Sequence, residues 1–242
     1  MTLQEAIEAR HSVRAYKSEP LAEDVAKRLE EEIAEVNQMG SLHIQLIRNE
    51  PKAFQGTLAK YGKFRNANNY LVMAGKKGDD LDERIGHYGE HLVLLAQTLG
   101  LNTCWVGLSY RKIPDTYLLE DGEVIKAYIA IGYGETRGTS HKIKTVEQVS
   151  NATAITPSWF RNGVEAALLA PTAVNQQKFF FHYVSKASQS AERSFEYLGM
   201  KDGRHQVRAK KGFSMIGYTQ IDLGIAKCHF EIGAGTNKFE WV

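Results

Sequence analysis

Apolar residues recur along this chain with two different periods, and the switches between them mark out its elements. Thr2-Leu3-Gln4-Glu5 has the form of a capping box, a threonine hydroxyl and a glutamate three positions on, and the helix it opens is predicted to end near Arg10. Val25, Leu29, Ile33 and Val36 fall on one stripe of a helix over 21–37 whose other face is charged, with Gly40 as its break. Leu42, Ile44 and Leu46 alternate with His43 and Gln45, the period of a strand. A second strand is expected over 69–74. Ile85, Leu92, Leu95 and Leu99 lie on one face of a helix over 80–99 that Gly100 stops. Strands follow at 102–106 and 124–131, and a polar stretch over 134–144 closes this part. Further on, the pattern predicts a helix over 158–169, ended because Pro171 pushes its neighbour out of the helical region. A strand over 179–184, a helix over 217–232 and a terminal strand over 237–242 complete the chain.

The same plan is used twice. Val36-Asn37-Gln38 follows a helix and precedes a strand, as does Val174-Asn175-Gln176; Gly100 to Trp105 leaves a long helix and enters a strand, as does Gly235 to Trp241. The pairs stand at nearly constant spacing, which points to a duplication. The expectation is an α+β fold of mostly antiparallel sheets flanked by helices, with two related halves, 1–150 and a shorter 151–242, around a pseudo-twofold axis.

Composition narrows the class. The chain has 242 residues, 43% of them hydrophobic and 24% charged, enough to bury a sizeable core. A net charge of +2 gives no reason to expect nucleic acid as a partner. No apolar run approaches the ~20 residues of a membrane span. No secretory leader is visible, and Cys104 and Cys228 make no disulfide framework, so the expected location is the cytoplasm.

Two segments carry the candidate chemistry. Ala9-Arg10-His11-Ser12-Val13-Arg14-Ala15-Tyr16 gathers two guanidiniums, an imidazole and a hydroxyl at the end of the first helix. Guanidinium forks suit phosphate, although a basic helix end is also where cations sit for the dipole alone. The second segment is Ala170-Pro171-Thr172-Ala173-Val174-Asn175-Gln176-Gln177. The first resembles the N-terminal signature of the nitroreductase family, flavoproteins that use FMN, and the second resembles that family's Ala-Pro-Ser-x-x-Asn-x-Gln segment. Gly100 to Gly107 resembles the strand that passes the flavin ring, and Ile129 to Tyr133 the late core strand. Family members are usually homodimers, each flavin held between the first segment of one subunit and the second segment of the other. Here the first half has only the former and the second half only the latter. The resemblance therefore implies a single-chain pseudo-dimer with one FMN site, monomeric or further dimerised.

Carried over residue by residue, the resemblance implies that Arg10, Lys142 and Lys144 hold the FMN phosphate, and that His11 and Ser12 contact the ribityl chain or phosphate. It places Arg14 at the N1/O2 edge of the ring, where a cation stabilises the reduced anion, and an amide of Gly107 or Leu108 at N5. Arg14 and Gly107 are thus the candidate catalytic residues. Asn66, Asn68 or Asn69 would meet the pyrimidine edge, and Thr172 and Asn175 would reach in from the second half. The implied activity passes electrons from NAD(P)H through FMN to a small acceptor such as a nitroaromatic or quinone. The alternative is a flavin-binding storage or regulatory protein without turnover. A scaffold that has lost flavin, or another reaction on the same fold, completes the set. The stretches that would choose the acceptor lie around 54–64 and 195–211.

Other features read as structure. Gly132-Tyr133-Gly134 lacks the third glycine and the opening helix of a dinucleotide loop. His87 and His91 stand four apart on a helix, but no third ligand accompanies them, and no metal is expected. Cys104 reads as core; Trp105, Trp159 and Trp241 read as core or interface, and the basic stretch from 201 to Lys211 as solvated surface.

Overall fold

The capping box forms as its residues dictate: the Thr2 amide donates to Glu5 Oε2 at 2.7 Å, and the Glu5 amide to Thr2 Oγ1 at 3.2 Å. It opens α1, Leu3–Ala9. In this computed structural model residues 1–56, 61–184, 200–201 and 204–242 are described, and the chain divides into two units, Met1–His141 and Lys142–Val242.

In the first unit α1 is followed by α2, Glu23–Gly40, strand β1, Gln45–Ile47, strand β2, Asn69–Lys76, helix α3, Leu81–Thr98, strand β3, Asn102–Val106, and strand β4, Glu123–Gly132. The strands form one antiparallel sheet in the order β1-β2-β4-β3. α3 lies against β2, β3 and β4 and touches α1 and α2, and α2 also packs on the sheet through Ala26 and Leu29, which cluster with Ile131 of β4. β2 is buried along all but its last residue because both its faces are covered. On the face away from α3, Tyr70, Val72, Tyr128 and Ala130 join Val13, Tyr16 and Phe54 in one core cluster. Tyr70 stacks on Tyr128 with ring centroids 4.8 Å apart. α2 runs through Gly40 rather than breaking at it. A Cβ there would meet the Tyr88 ring at 2.6 Å, and the chain turns instead at Ser41, left-handed at φ 47°.

The second unit contains the short helix α4, Val146–Val149, helix α5, Ser158–Leu168, strand β5, Phe179–Val184, strands β6, Met200–Lys201, and β7, Arg204–Lys211, helix α6, Thr219–Ala234, and strand β8, Phe239–Trp241. β7 pairs antiparallel with β5 and β6, and parallel with β8. α5 and α6 pack on each other, and α6 lies on β5 and β7. Phe181 stacks on Phe230 at 4.7 Å, with Phe160 and Trp241 close by. β7 is not anticipated by the pattern, which reads 201–211 as surface. Only Val207 is fully buried in it, and its apolar partners come from the Phe-rich β5. Residues 142–150, placed with the first half on sequence, bond within the second unit: Lys144 to Gln177, and Ser150 by a bridge to Phe181.

Candidate functional site

The cationic segment of the first unit is pinned by its backbone. Arg10 caps α1 with its amide on the Ala6 carbonyl at 2.9 Å. The chain then runs extended. Ser12 bridges Thr103 of β3, the Val13 amide donates to the Thr103 carbonyl at 3.0 Å, and Arg14 and Tyr16 exchange backbone bonds with Arg65. Val13 and Tyr16 are buried, Arg14 is exposed, and His11 and Ser12 are half-buried. Tyr16 locks the segment, its hydroxyl donating to the Val13 carbonyl at 2.6 Å. Gly138, at φ 73°, passes so close that a Cβ would stand 2.7 Å from His11 Cβ. The His11 imidazole is held below its ordinary pKa by burial, by Arg10 and by His141. Positive charge is thus concentrated here, which an anion relieves.

Arg10 points inward. It is 3% exposed, and its Nε lies 3.7 Å from Oε1 of Glu90, itself fully buried on α3. Glu90 Oε2 accepts from the Trp105 indole at 2.8 Å. Burial lowers the Arg10 pKa, and Glu90 opposes that shift. Cys104 lies beside this network. Burial pushes its thiol up, while Arg14, a hydrogen bond with Ser12, and Arg10 pull the other way. Gly107 follows the end of β3 half-buried, and Leu108 is 74% exposed. Of the candidate asparagines, Asn66 gives its amide to the Tyr16 carbonyl at 3.0 Å and Asn69 Oδ1 accepts from the Asn49 amide at 3.0 Å.

In the second unit the structure joins two segments that lie far apart in sequence. Residues 172–177 form a tight turn with three non-glycine residues in the left-handed region: Val174 at φ 46°, Asn175 at 57° and Gln177 at 45°. For a β-branched valine this is a true outlier, costing about 1–3 kcal/mol, and it persists only where the surroundings over-determine it. They do so here. Asn175 Nδ2 and Gln177 Nε2 both donate to the Lys142 carbonyl at 2.8 Å. Gln177 Nε2 also donates to Asn175 Oδ1 at 2.8 Å, and Gln177 Oε1 accepts from the Lys144 amide at 2.9 Å. Thr172 Oγ1 accepts from the Gln177 amide at 3.1 Å. Lys144 Nζ donates to the Gln177 carbonyl at 2.6 Å, and its pKa is lowered by burial and by Lys178. Lys142 keeps an exposed side chain.

On the other side of the turn stands Asp222 of α6, 2% exposed. Its Oδ1 accepts from the Ala173 amide at 3.0 Å and its Oδ2 from Gln176 Nε2 at 2.6 Å. Burial nevertheless pushes its carboxyl up to about 6. Asp222 and Glu90 are not among the residues singled out from sequence, and Gln177 enters there only as the last residue of the second segment. A lone carboxylate between apolar neighbours, as in Ile221-Asp222-Leu223, is the signal that marks Asp222; Glu90, between Gly89 and His91, has no such signal.

The structure groups Arg10, His11, Ser12 and Arg14 with Cys104 and Glu90 in the first unit. It groups Lys142, Lys144, Thr172 and Asn175 in the second. The histidine pair on α3 is accounted for in part: His91 bonds Glu32 at 2.7 Å, and among the described residues no cluster of three or more metal-ligating side chains occurs. Cys104 and Cys228 are buried thiols, and no disulfide joins cysteines among the described residues. No described helix is long and apolar enough to cross a membrane. Of the stretches expected to choose the acceptor, residues 57–60, 195–199 and 202–203 lie outside the described residues.

A family model described as "Putative TM nitroreductase" matches residues 2–234. Comparison with curated proteins gives no match. Among solved structures, one described as a "putative nitroreductase" from Thermotoga maritima is 21% identical with a TM-score of 0.64, covering 98% of this chain and 85% of its own. The nitroreductase NfrA1 of B. subtilis is 11% identical with a TM-score of 0.50, over 65% of this chain and 76% of its own. A third, from Desulfovibrio desulfuricans and solved in complex with FMN, is 18% identical with a TM-score of 0.48, over 62% of this chain and 95% of its own. At these identities the likeness to solved structures is one of fold.

Proposed function

The chain belongs to the nitroreductase family of oxidoreductases, and on that premise we propose that it binds FMN and turns over with NAD(P)H and a small electron acceptor. The observation that carries the reading is the family match across residues 2–234, which takes in both candidate segments. The residues fit the cofactor. A phosphate monoester needs cations and hydroxyl donors, and His11, whose pKa is depressed first by burial and then by Arg10 and His141, offers with Ser12 a place where an anion is favoured. In this reading His11 and Ser12 hold the phosphate and ribityl chain, with the exposed Lys142 contributing charge. Arg10 shapes the corner through Glu90, with its guanidinium buried. Arg14 stabilises negative charge at the pyrimidine edge, and the backbone at Gly107 and Leu108 borders N5. Thr172 and Asn175 contribute from the second unit. Bound FMN would supply the redox chemistry, taking a hydride from NAD(P)H and passing electrons to a nitroaromatic, quinone or similar acceptor.

The test is an absorption spectrum of the purified chain after addition of FMN and removal of the excess. A retained flavin band that bleaches on anaerobic addition of NADH or NADPH, and returns with a quinone, is the expected result. Failure to retain FMN overturns the reading. Retention without bleaching by either nucleotide marks a binding protein without turnover.

We also read the chain as an internal duplication in which the second half takes the part of a partner subunit. Helix, strand, strand, helix and strand follow in the same order in α2-β1-β2-α3-β3 and α5-β5-β7-α6-β8. β2 and β3 run the same way on either side of β4, and β7 and β8 run the same way as direct neighbours, so the second copy lacks the β4 equivalent. Trp105 of β3 and Trp241 of β8 each donate to a glutamate of the preceding helix, Trp105 to Glu90 at 2.8 Å and Trp241 to Glu231 at 2.6 Å. Sedimentation showing a monomer that binds one FMN per chain supports this reading; two FMN per chain refutes it.

A further inference from the structure

We propose that Asp222 is a positioning residue for flavin binding: from α6 it clamps the 172–177 turn in the conformation that presents Thr172 and Asn175 to the cofactor. The inference rests on the FMN reading above, but its structural half stands without it.

The argument begins with the backbone. A turn with Val174, Asn175 and Gln177 all left-handed does not hold itself in that shape, because non-glycine residues leave that region when free to do so. One flank is tied to residues 142–144 through Asn175, Gln177 and Lys144. The other flank has Asp222. Its two oxygens take the Ala173 amide and the Gln176 carboxamide, and Gln176 Nε2 also donates to the Gly217 carbonyl at 3.1 Å. The carboxylate therefore fixes both the residue entering the left-handed stretch and a residue within it. It also ties them to the start of α6, where Tyr218, left-handed at φ 59°, is the N-cap. Such a group is costly to bury, and an apolar residue would pack on α6 at lower cost unless the turn needed the two acceptors.

Chemistry separates the variants. Asp222→Ala removes both acceptors. Asp222→Asn keeps an oxygen for the Ala173 amide but turns an NH2 towards the Gln176 NH2, so one bond survives and the other is lost. Two measurements test the proposal. The first is amide hydrogen exchange over 172–177 in the flavin-free protein. Faster exchange there in Asp222→Ala, with Asp222→Asn between it and the parent, is expected; unchanged exchange overturns the clamp whatever the flavin does. The second is FMN affinity by fluorescence titration. Asp222→Ala should bind at least tenfold more weakly, Asp222→Asn should recover part of that, and Asn175→Ala should have little further effect in the Asp222→Ala background. FMN affinity within twofold of the parent, or effects of the two substitutions that simply multiply, overturns the positioning role. If the parent itself takes up no FMN, the functional reading fails, and the exchange measurement alone decides whether Asp222 holds the turn. Should Asp222→Ala not fold, the same comparisons are made with Asp222→Asn.

Discussion

Glu90→Gln is the most informative single perturbation of the first unit. The side chain keeps its size and can still accept from the Trp105 indole, so the change isolates the charge. Arg10 and Glu90 are 3% and 0% exposed, with Nε and Oε1 3.7 Å apart. Removing one partner of a buried pair typically costs about 3–5 kcal/mol, because the other charge is left in a medium that solvates it poorly. For a chain of this length that corresponds to a fall in Tm of roughly 6–20 °C, at 2–4 °C per kcal/mol. The assay is urea and thermal unfolding followed by circular dichroism, in flavin-free protein. The double variant Arg10→Met/Glu90→Gln should recover most of the loss, since it removes the stranded cation and keeps an acceptor for the Trp105 indole. A loss below about 1 kcal/mol in Glu90→Gln would refute the argument that Arg10 is a buried partner of Glu90. The outcome bears on function. A guanidinium serving only a phosphate would affect FMN affinity and leave the flavin-free protein as stable as before.

Three further outcomes are expected. Gly138→Ala should destabilise by about 1–3 kcal/mol and weaken FMN binding, since its Cβ would stand 2.7 Å from His11 Cβ at a positive φ; unchanged melting and FMN titration would contradict the close approach. Val174→Gly should stabilise the flavin-free protein by about 1 kcal/mol, because Val174 is 75% exposed and glycine adopts φ 46° freely; a lower Tm would show that the valine makes contacts worth more than the strain. Asp222 sits at about 6 in the folded protein against 3.8 for the free group, so the native state binds the extra proton between those values. Its contribution to stability is therefore present below about pH 4 and lost as pH rises through about 6. The urea midpoint of the parent should fall over that window relative to Asp222→Asn, and parallel curves would refute the shift.

Much of this protein was legible in its residues. Period and punctuation located α1, α3, β2, β4 and α5 because those elements declare themselves locally. Thr2 and Glu5 cap by short-range bonds, β2 is apolar on both faces, and Pro171 cannot continue a helix. The two polar segments also stand out in the sequence as candidates, because residue types that suit phosphate and a flavin edge stand together in each. What the sequence could not supply was the partner of each polar group. Arg10 reads as a free cation until α3 brings Glu90 to it, and β7 reads as solvated surface until β5 pairs with it. The sequence marks Asn175 as an amide but does not show that the Lys142 carbonyl, 2.8 Å away, anchors it. Asp222 has no local meaning at all; the Ala173 amide and Gln176 that give it one lie nearly 50 residues earlier in the chain. The reason is physical. Propensity and periodicity act over a few residues, whereas burying a charge or a strained turn is decided by groups that only the packed fold brings within bonding distance.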